Sequence, residues 1–333
     1  MAGLFDPMKI GNVTIRNRIG MSPMCQYRAE GDGVPHDWHR THYRSRALGG
    51  TGLILTEMTD VEPRGRINEG CLGLWNRAQS DAFRRVADEV HAEGAAFGIQ
   101  IAHAGRKSTL DDPVAPSAVP FAEGRATPRA LTVDEIQGLV EAFARSAELA
   151  VDAGVDVIEL HGAHGYLIHQ FLSPISNLRD DEYADPARFA IDVVRAVKAR
   201  IPSQLPLMLR ISMQEYQPGG YGPTHLLPIL PKLVDAGVDL FDVSTGGNGP
   251  ARPEAYPGYH LRHATTVRDT SEVPVATVGQ MNSPALADFA VRESMTDLVL
   301  IGKALLRTPY WAHEAALALG RDHELPGEYA KGV

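Results

Sequence analysis

Cysteine is scarce in this chain: 333 residues carry two, Cys25 and Cys71. Two thiols close one disulfide at most and fit a reducing compartment, so the cytoplasm is the expected location. They are also too few for a zinc ribbon or a cysteine-bound iron–sulfur cluster. Basic residues are outnumbered, 32 against 41 acidic ones, for a net charge of −9. That balance argues against a nucleic-acid partner, because phosphate binding needs a basic face. No apolar run approaches the ~18 residues of a membrane span. The opening residues, Met1 to Pro7, lack a basic region followed by an apolar one, so neither an export signal nor a membrane partner is expected. G-x-G-x-x-G is missing throughout, which removes the usual dinucleotide fingerprint of a doubly wound sheet.

What is present is ordinary globular composition, 44% hydrophobic and 22% charged. The length allows two average domains or one large α/β barrel. Eight near-continuous apolar runs of strand length recur: 18–21, 52–57, 96–101, 155–160, 206–211, 240–243, 275–278 and 298–301. Such runs suit parallel strands covered on both faces. Amphipathic stretches at 81–93, 133–153 and 186–200 lie between them, and glycines at 94, 154 and 237 close helices just before a strand. Eight such units in this length predict one (β/α)₈ TIM barrel, a single domain over residues 1–333. Ahead of the first strand, Gly11-Asn12 between two short apolar segments predicts a β-hairpin that closes the barrel bottom. Residues 111–129 and 246–259 read as long surface loops.

In a barrel, chemistry gathers at the C-terminal strand ends. The residues just past each run are Ser22-Pro23-Met24-Cys25, Glu57-Met58, Gln100 to His103, His161 and His164, Arg210, Ser244 to Gly247, Gly279 and Gly302-Lys303. Several of these are costly to bury without a ligand, and eight such ends together argue for a large polyatomic ligand across the mouth. The last two ends are glycine-bearing, which lets backbone N–H groups approach a phosphate.

Three segments carry a resemblance: Met21-Ser22-Pro23-Met24-Cys25-Gln26-Tyr27, the run Gln100 to Lys107, and His161-Gly162-Ala163-His164-Gly165-Tyr166-Leu167. Their order and their places at strand ends make the chain resemble the Old Yellow Enzyme family, with the cysteine after Ser-Pro-Met similar to its thermophilic-like subclass. The resemblance runs from about Leu4 to Ala330. It implies an FMN-binding barrel that uses NAD(P)H to reduce the C=C bond of α,β-unsaturated carbonyl compounds. His161 and His164 would bind the substrate carbonyl oxygen, where charge builds as hydride reaches the β-carbon. Tyr166 would protonate the α-carbon, and Tyr27 would border the substrate. Ser22, Pro23, Met24, Cys25, Met58, Gln100 and Arg210 would surround the flavin ring, with Arg210 at its N1/O2 edge and Cys25 beside N5/O4. Ser244, Gly246, Gly279, Gly302 and Lys303 would hold the phosphate. A homodimer or a higher homo-oligomer is implied as well.

Plainer readings of the same residues stay open. A lone histidine is more often a cap or core residue, a lone cysteine a small hydrophobe, and Arg210 has Glu159 or Asp242 as possible structural partners. A metal site with His169 as third ligand is the alternative for the histidine pair. The sequence also departs from the family's usual pattern. Gly302-Lys303 stands where Gly-Arg is usual, and Met58 where a small residue is frequent. Segment 183–189 is shorter than usual. The C-terminal arginine lent to a neighbouring subunit is here at best Lys331. Rival functions are another FMN-barrel oxidoreductase, a Schiff-base or metal-dependent lyase, and a barrel that binds without catalysis. The Schiff-base reading needs a lysine within a strand, and none of the eight runs contains one.

Overall fold

A computed structural model describes residues 2–321 and Tyr329. Lys331 lies outside the described residues. Eight parallel strands close into a barrel: β1 Ile19–Met21, β2 Leu53–Asp60, β3 Ala96–Ala102, β4 Val157–Gly162, β5 Leu207–Ser212, β6 Leu240–Ser244, β7 Val275–Thr277 and β8 Leu298–Ile301. Each pairs with its sequence neighbours, and the β8–β1 ladder closes the ring through Leu300↔Gly20. All eight fall on the predicted apolar runs, shifted by a few residues at most.

Helices alternate with the strands and form the outer layer. Val133–Asp152 and Arg188–Arg200 begin and end within two residues of expectation. The helix expected from residue 81 begins earlier, at Arg77. Asn76 caps it and exchanges hydrogen bonds with Gln79, a capping box visible in the sequence as Asn-x-x-Gln. In the short segment 183–189, Asp181 caps a 3₁₀ turn at Glu182–Ala184, and the next helix follows directly.

Side-chain alternation along the strands divides the barrel interior into layers. The lowest is apolar: Leu53, Val157, Met208, Leu240, Ala276 and Leu298 come from different strands and pack together. The predicted hairpin, Met8–Ile10 with Val13–Ile15, covers this layer with Met8, Ile10 and Ile15, all buried. Two residues further along, the inward positions turn polar: Glu159 on β4, Arg210 on β5 and Asp242 on β6. The bottom is therefore sealed by apolar burial, and the ionisable groups are raised toward the mouth.

Candidate active site

The mouth holds a cavity of about 440 Å³. The chain leaving β1 supplies Ser22, Pro23, Met24 and Cys25 to its wall, and β2 supplies Met58. Gln100, His161, Arg210 and Ser244 reach it from β3 to β6, and His164 and Tyr166 from the turn after β4. Gly279 follows β7, and Gly302-Lys303 follow β8. Fourteen residues singled out from the sequence thus meet in one cavity.

Two do not. Gly246 donates its N–H to the Gln214 carbonyl at 2.6 Å and lies off the wall. Tyr27, 46% exposed, lines a neighbouring recess that shares only Tyr166 with the main cavity. Both belong to turns whose direction depends on tertiary contacts.

The segment after β1 is pinned by Glu57, whose carboxylate accepts from the Gln26 N–H at 2.7 Å. Burial raises the Glu57 pKa to about 7, against the hydrogen bonds from Gln26, Tyr27 and Tyr43 that lower it. Burial, then the acidic neighbours Glu57, Cys71 and Asp60, push the Cys25 thiol far up, so it remains S–H rather than thiolate.

Behind the cavity, Gln100 Nε2 donates to Glu159 Oε1 at 2.6 Å. Arg210 Nε sits 2.9 Å from Asp242 Oδ2, an ion pair buried on both sides. Asp242 is thus the neighbour expected on the structural reading of Arg210, yet the guanidinium also lines the cavity. Burial raises the pKa of both Glu159 and Asp242, and Arg210 opposes the rise. One guanidinium faces two carboxyl groups that resist ionising together.

The two histidines are oriented by their second nitrogens. His161 Nδ1 accepts from the Ala163 N–H at 3.2 Å, so its own hydrogen sits on Nε2. His164 Nε2 lies 2.7 Å from Ser244 Oγ. With the hydroxyl as donor, His164 carries its hydrogen on Nδ1. Burial, then the charges of Arg210 and Lys107, hold both rings well below the usual histidine range. Each is a neutral imidazole with one N–H. Their centroids are 5.2 Å apart, and Tyr166 stands 4.7 Å from His161. Burial raises the Tyr166 phenol well above 10, which keeps it protonated.

The turn that carries His164 is shaped by two glycines. Gly165 has φ +74, and a Cβ there would meet the Gly247 carbonyl oxygen at 2.3 Å. A Cβ on Gly247, φ +93, would meet His164 Cα at 2.5 Å. His169 secures the same turn: Nδ1 accepts from the Gly165 N–H at 3.0 Å, and Nε2 meets Glu215 Oε1 at 3.0 Å. Both of its nitrogens are engaged inside the protein, so the metal alternative loses its third ligand.

Some wall residues escaped the sequence reading. Tyr259 and His260 come from the end of the 246–259 loop, and Asn282 from the turn after β7. His260 joins two strand ends, with Nε2 2.9 Å from Thr245 Oγ1 and Nδ1 3.0 Å from the Val278 carbonyl. Lys107, the last residue of the second motif, lines the neighbouring recess. Its ammonium donates to the His164 carbonyl at 2.9 Å and lies 4.7 Å from the Tyr166 ring centre. Only a long-range contact reveals these residues.

Residues 3–321 match the profile of the NADH:flavin oxidoreductase / NADH oxidase family. An NADPH dehydrogenase of Listeria innocua is 45% identical over 99% of this chain and 99% of its own length. One of Geobacillus sp. is 42% identical over 99% and 98%. Among solved structures, morphinone reductase in complex with tetrahydroNAD superposes with a TM-score of 0.83 at 27% identity, covering 99% of this chain and 94% of that one. A 2-naphthoyl-CoA reductase reaches a TM-score of 0.90 at 25% identity over 96% of this chain, which spans 52% of that longer protein.

Proposed function

The chain belongs to the NADH:flavin oxidoreductase / NADH oxidase family, and from that footing we propose that it reduces the C=C bond of α,β-unsaturated carbonyl compounds. It is an NAD(P)H-dependent oxidoreductase with FMN as its prosthetic group. The cavity suits that group chemically. A flavin has a polar pyrimidine edge, a flat apolar body and a phosphate tail. The Arg210 guanidinium and the Gln100 amide suit the edge, Met24 and Pro23 the body, and the turns at Gly279 and Gly302 the phosphate. Gln100 has one amide hydrogen committed to Glu159, which leaves its carbonyl and its other hydrogen for the ring.

When bound, FMN would supply hydride-transfer chemistry between NAD(P)H and the substrate's β-carbon. The protein's own groups do the rest. His161 Nε2–H and His164 Nδ1–H donate to the carbonyl oxygen, whose negative charge grows as the double bond is reduced. Neutral donors fit the task, because they stabilise that charge without protonating the oxygen outright. Tyr166, still protonated, gives its proton to the α-carbon. Arg210 would present a fixed positive charge to the flavin's pyrimidine edge and favour negative charge there. The cysteine thiol adds a weak donor that tunes the potential.

The observation that carries this reading is the pair of neutral imidazoles, each left with one N–H, beside a protonated tyrosine in one cavity. Purified protein should be yellow and release FMN on heating, and an enone such as 2-cyclohexenone should accelerate NADPH oxidation under anaerobic conditions. A flavin-loaded protein that oxidises NADPH with oxygen but never with any enone would refute it.

A further inference from the structure

Beyond the Tyr166 ring a second recess of about 470 Å³ opens, bordered by Tyr27 and Phe121. Three cations converge on it from segments remote in sequence. Lys107 comes from the turn after β3, Arg125 from the 111–129 loop and Arg252 from the 246–259 loop. Some surface arginines are matched, as Arg129 is by Glu135 at 2.8 Å and Arg200 by Glu148 at 3.0 Å. Among the described residues neither Arg125 nor Arg252 has an acidic partner within ion-pair distance, although Glu123 borders the same recess. Lys107 is half-buried, its ammonium fixed by the carbonyls of His164 and Gly247 and lying 4.9 Å from the Phe121 ring centre. Burial, and the like charges of Arg252, Arg106 and Arg125, lower its pKa to about 8. In a chain of net charge −9, three cations gather here against one carboxylate, Glu123, which forms no ion pair with them, so they repel one another until an anion joins them.

We propose that this recess is an anion subsite, taking a carboxylate or phosphate on a ligand whose reacting end lies past Tyr166 in the main cavity. The aromatic rings of Phe121 and Tyr166 would flank the apolar stretch between the two ends, and Arg125 and Arg252 would close on the charge. This rests on the reading of the main cavity given above. Two sources present that chemistry: the phosphates of the nicotinamide nucleotide, and an acidic group on the unsaturated substrate.

The test uses flavin-loaded, full-length protein and the Arg125→Gln/Arg252→Gln double variant, with Arg252→Gln alone as a milder second. Stopped-flow reduction gives the apparent Kd of NADPH and of NADH. Reoxidation of dithionite-reduced enzyme is followed with neutral N-ethylmaleimide and with anionic maleimidoacetate. The double variant should bind the nucleotides, or maleimidoacetate, at least tenfold more weakly, and raised salt should flatten the difference. A loss confined to the nucleotides assigns the subsite to their phosphates; a loss confined to maleimidoacetate assigns it to the substrate. Unchanged constants for all four ligands, or equal losses for charged and neutral maleimides, would overturn the proposal. If N-ethylmaleimide fails to reoxidise even the unmodified enzyme, the ene-reductase reading falls, and the nucleotide arm still reports on the subsite.

Discussion

Removing the Ser244 hydroxyl tests how the proposed carbonyl site is built. Its Oγ lies 2.7 Å from His164 Nε2, and with the hydroxyl as donor it leaves Nδ1–H free to donate. In Ser244→Ala the ring loses a neutral hydrogen bond, worth about 1 kcal/mol, or roughly fivefold. His164→Ala removes the donor itself, about 3 kcal/mol or roughly a hundredfold. The serine acts only through the ring, so adding Ser244→Ala to His164→Ala should change nothing further. The assay is twofold: titration with a para-substituted phenol, read by its long-wavelength absorbance with the flavin, and the rate of enone reduction. The competing role for Ser244, holding the FMN phosphate, predicts another pattern. There the variant would lose flavin while phenol affinity of the remaining holoenzyme stayed constant. Additive losses in the double variant, or weakened FMN binding with unchanged phenol affinity, would refute the orienting role.

Further outcomes follow from the same geometry. Glu57 has a folded pKa of about 7 against the ordinary 4.5, so between those values the folded chain holds a proton that the unfolded chain has lost. Stability should therefore fall as pH rises through that window, with Glu57 contributing up to roughly 3 kcal/mol, and Glu57→Gln should remove that part of the slope in urea titrations at pH 5 and 8, leaving the part due to Glu159 and Asp242. Both active-site histidines lie well below 6.5, so phenol binding between pH 6.5 and 8 should report the phenol's own ionisation and no imidazole step. Cys25→Ala should retain FMN but shift its potential in a dye-equilibration titration; a loss of folding with no redox effect would return the thiol to a packing role. Gly165→Ala forces a Cβ toward the Gly247 oxygen and should cost on the order of 1–3 kcal/mol in thermal unfolding.

The strands were legible because burial on both faces writes a continuous apolar run, which no loop imitates for long. Most of the cavity wall was legible for a related reason. Gln100, Arg210 and Ser244 are polar residues at the inner ends of apolar strands, a conflict that only a ligand or a partner resolves. Arg210 turned out to have both, Asp242 behind it and the cavity in front. What stayed hidden depends on how loops return. Tyr259 and His260 reach the wall only because His260 links Thr245 to the Val278 carbonyl, a contact with no local signature. Gly246 follows a strand end and Tyr27 sits at a motif position, yet each turns on a positive φ, +72 and +55, that carries it off the wall. The fixed orientations of the two imidazoles were likewise out of reach, since they rest on the Ala163 N–H and on a serine eighty residues away.

The hairpin under the barrel has a kinetic consequence. Met8, Ile10 and Ile15 seal the floor against an apolar layer, so nothing reaches the cavity from below. On the proposed reading, hydride donor and hydride acceptor would both enter from above, through the mouth. Turnover should then follow ping-pong kinetics, with parallel double-reciprocal lines. Each substrate in excess should act as a competitive inhibitor of the other by occupying the flavin in its unreactive oxidation state.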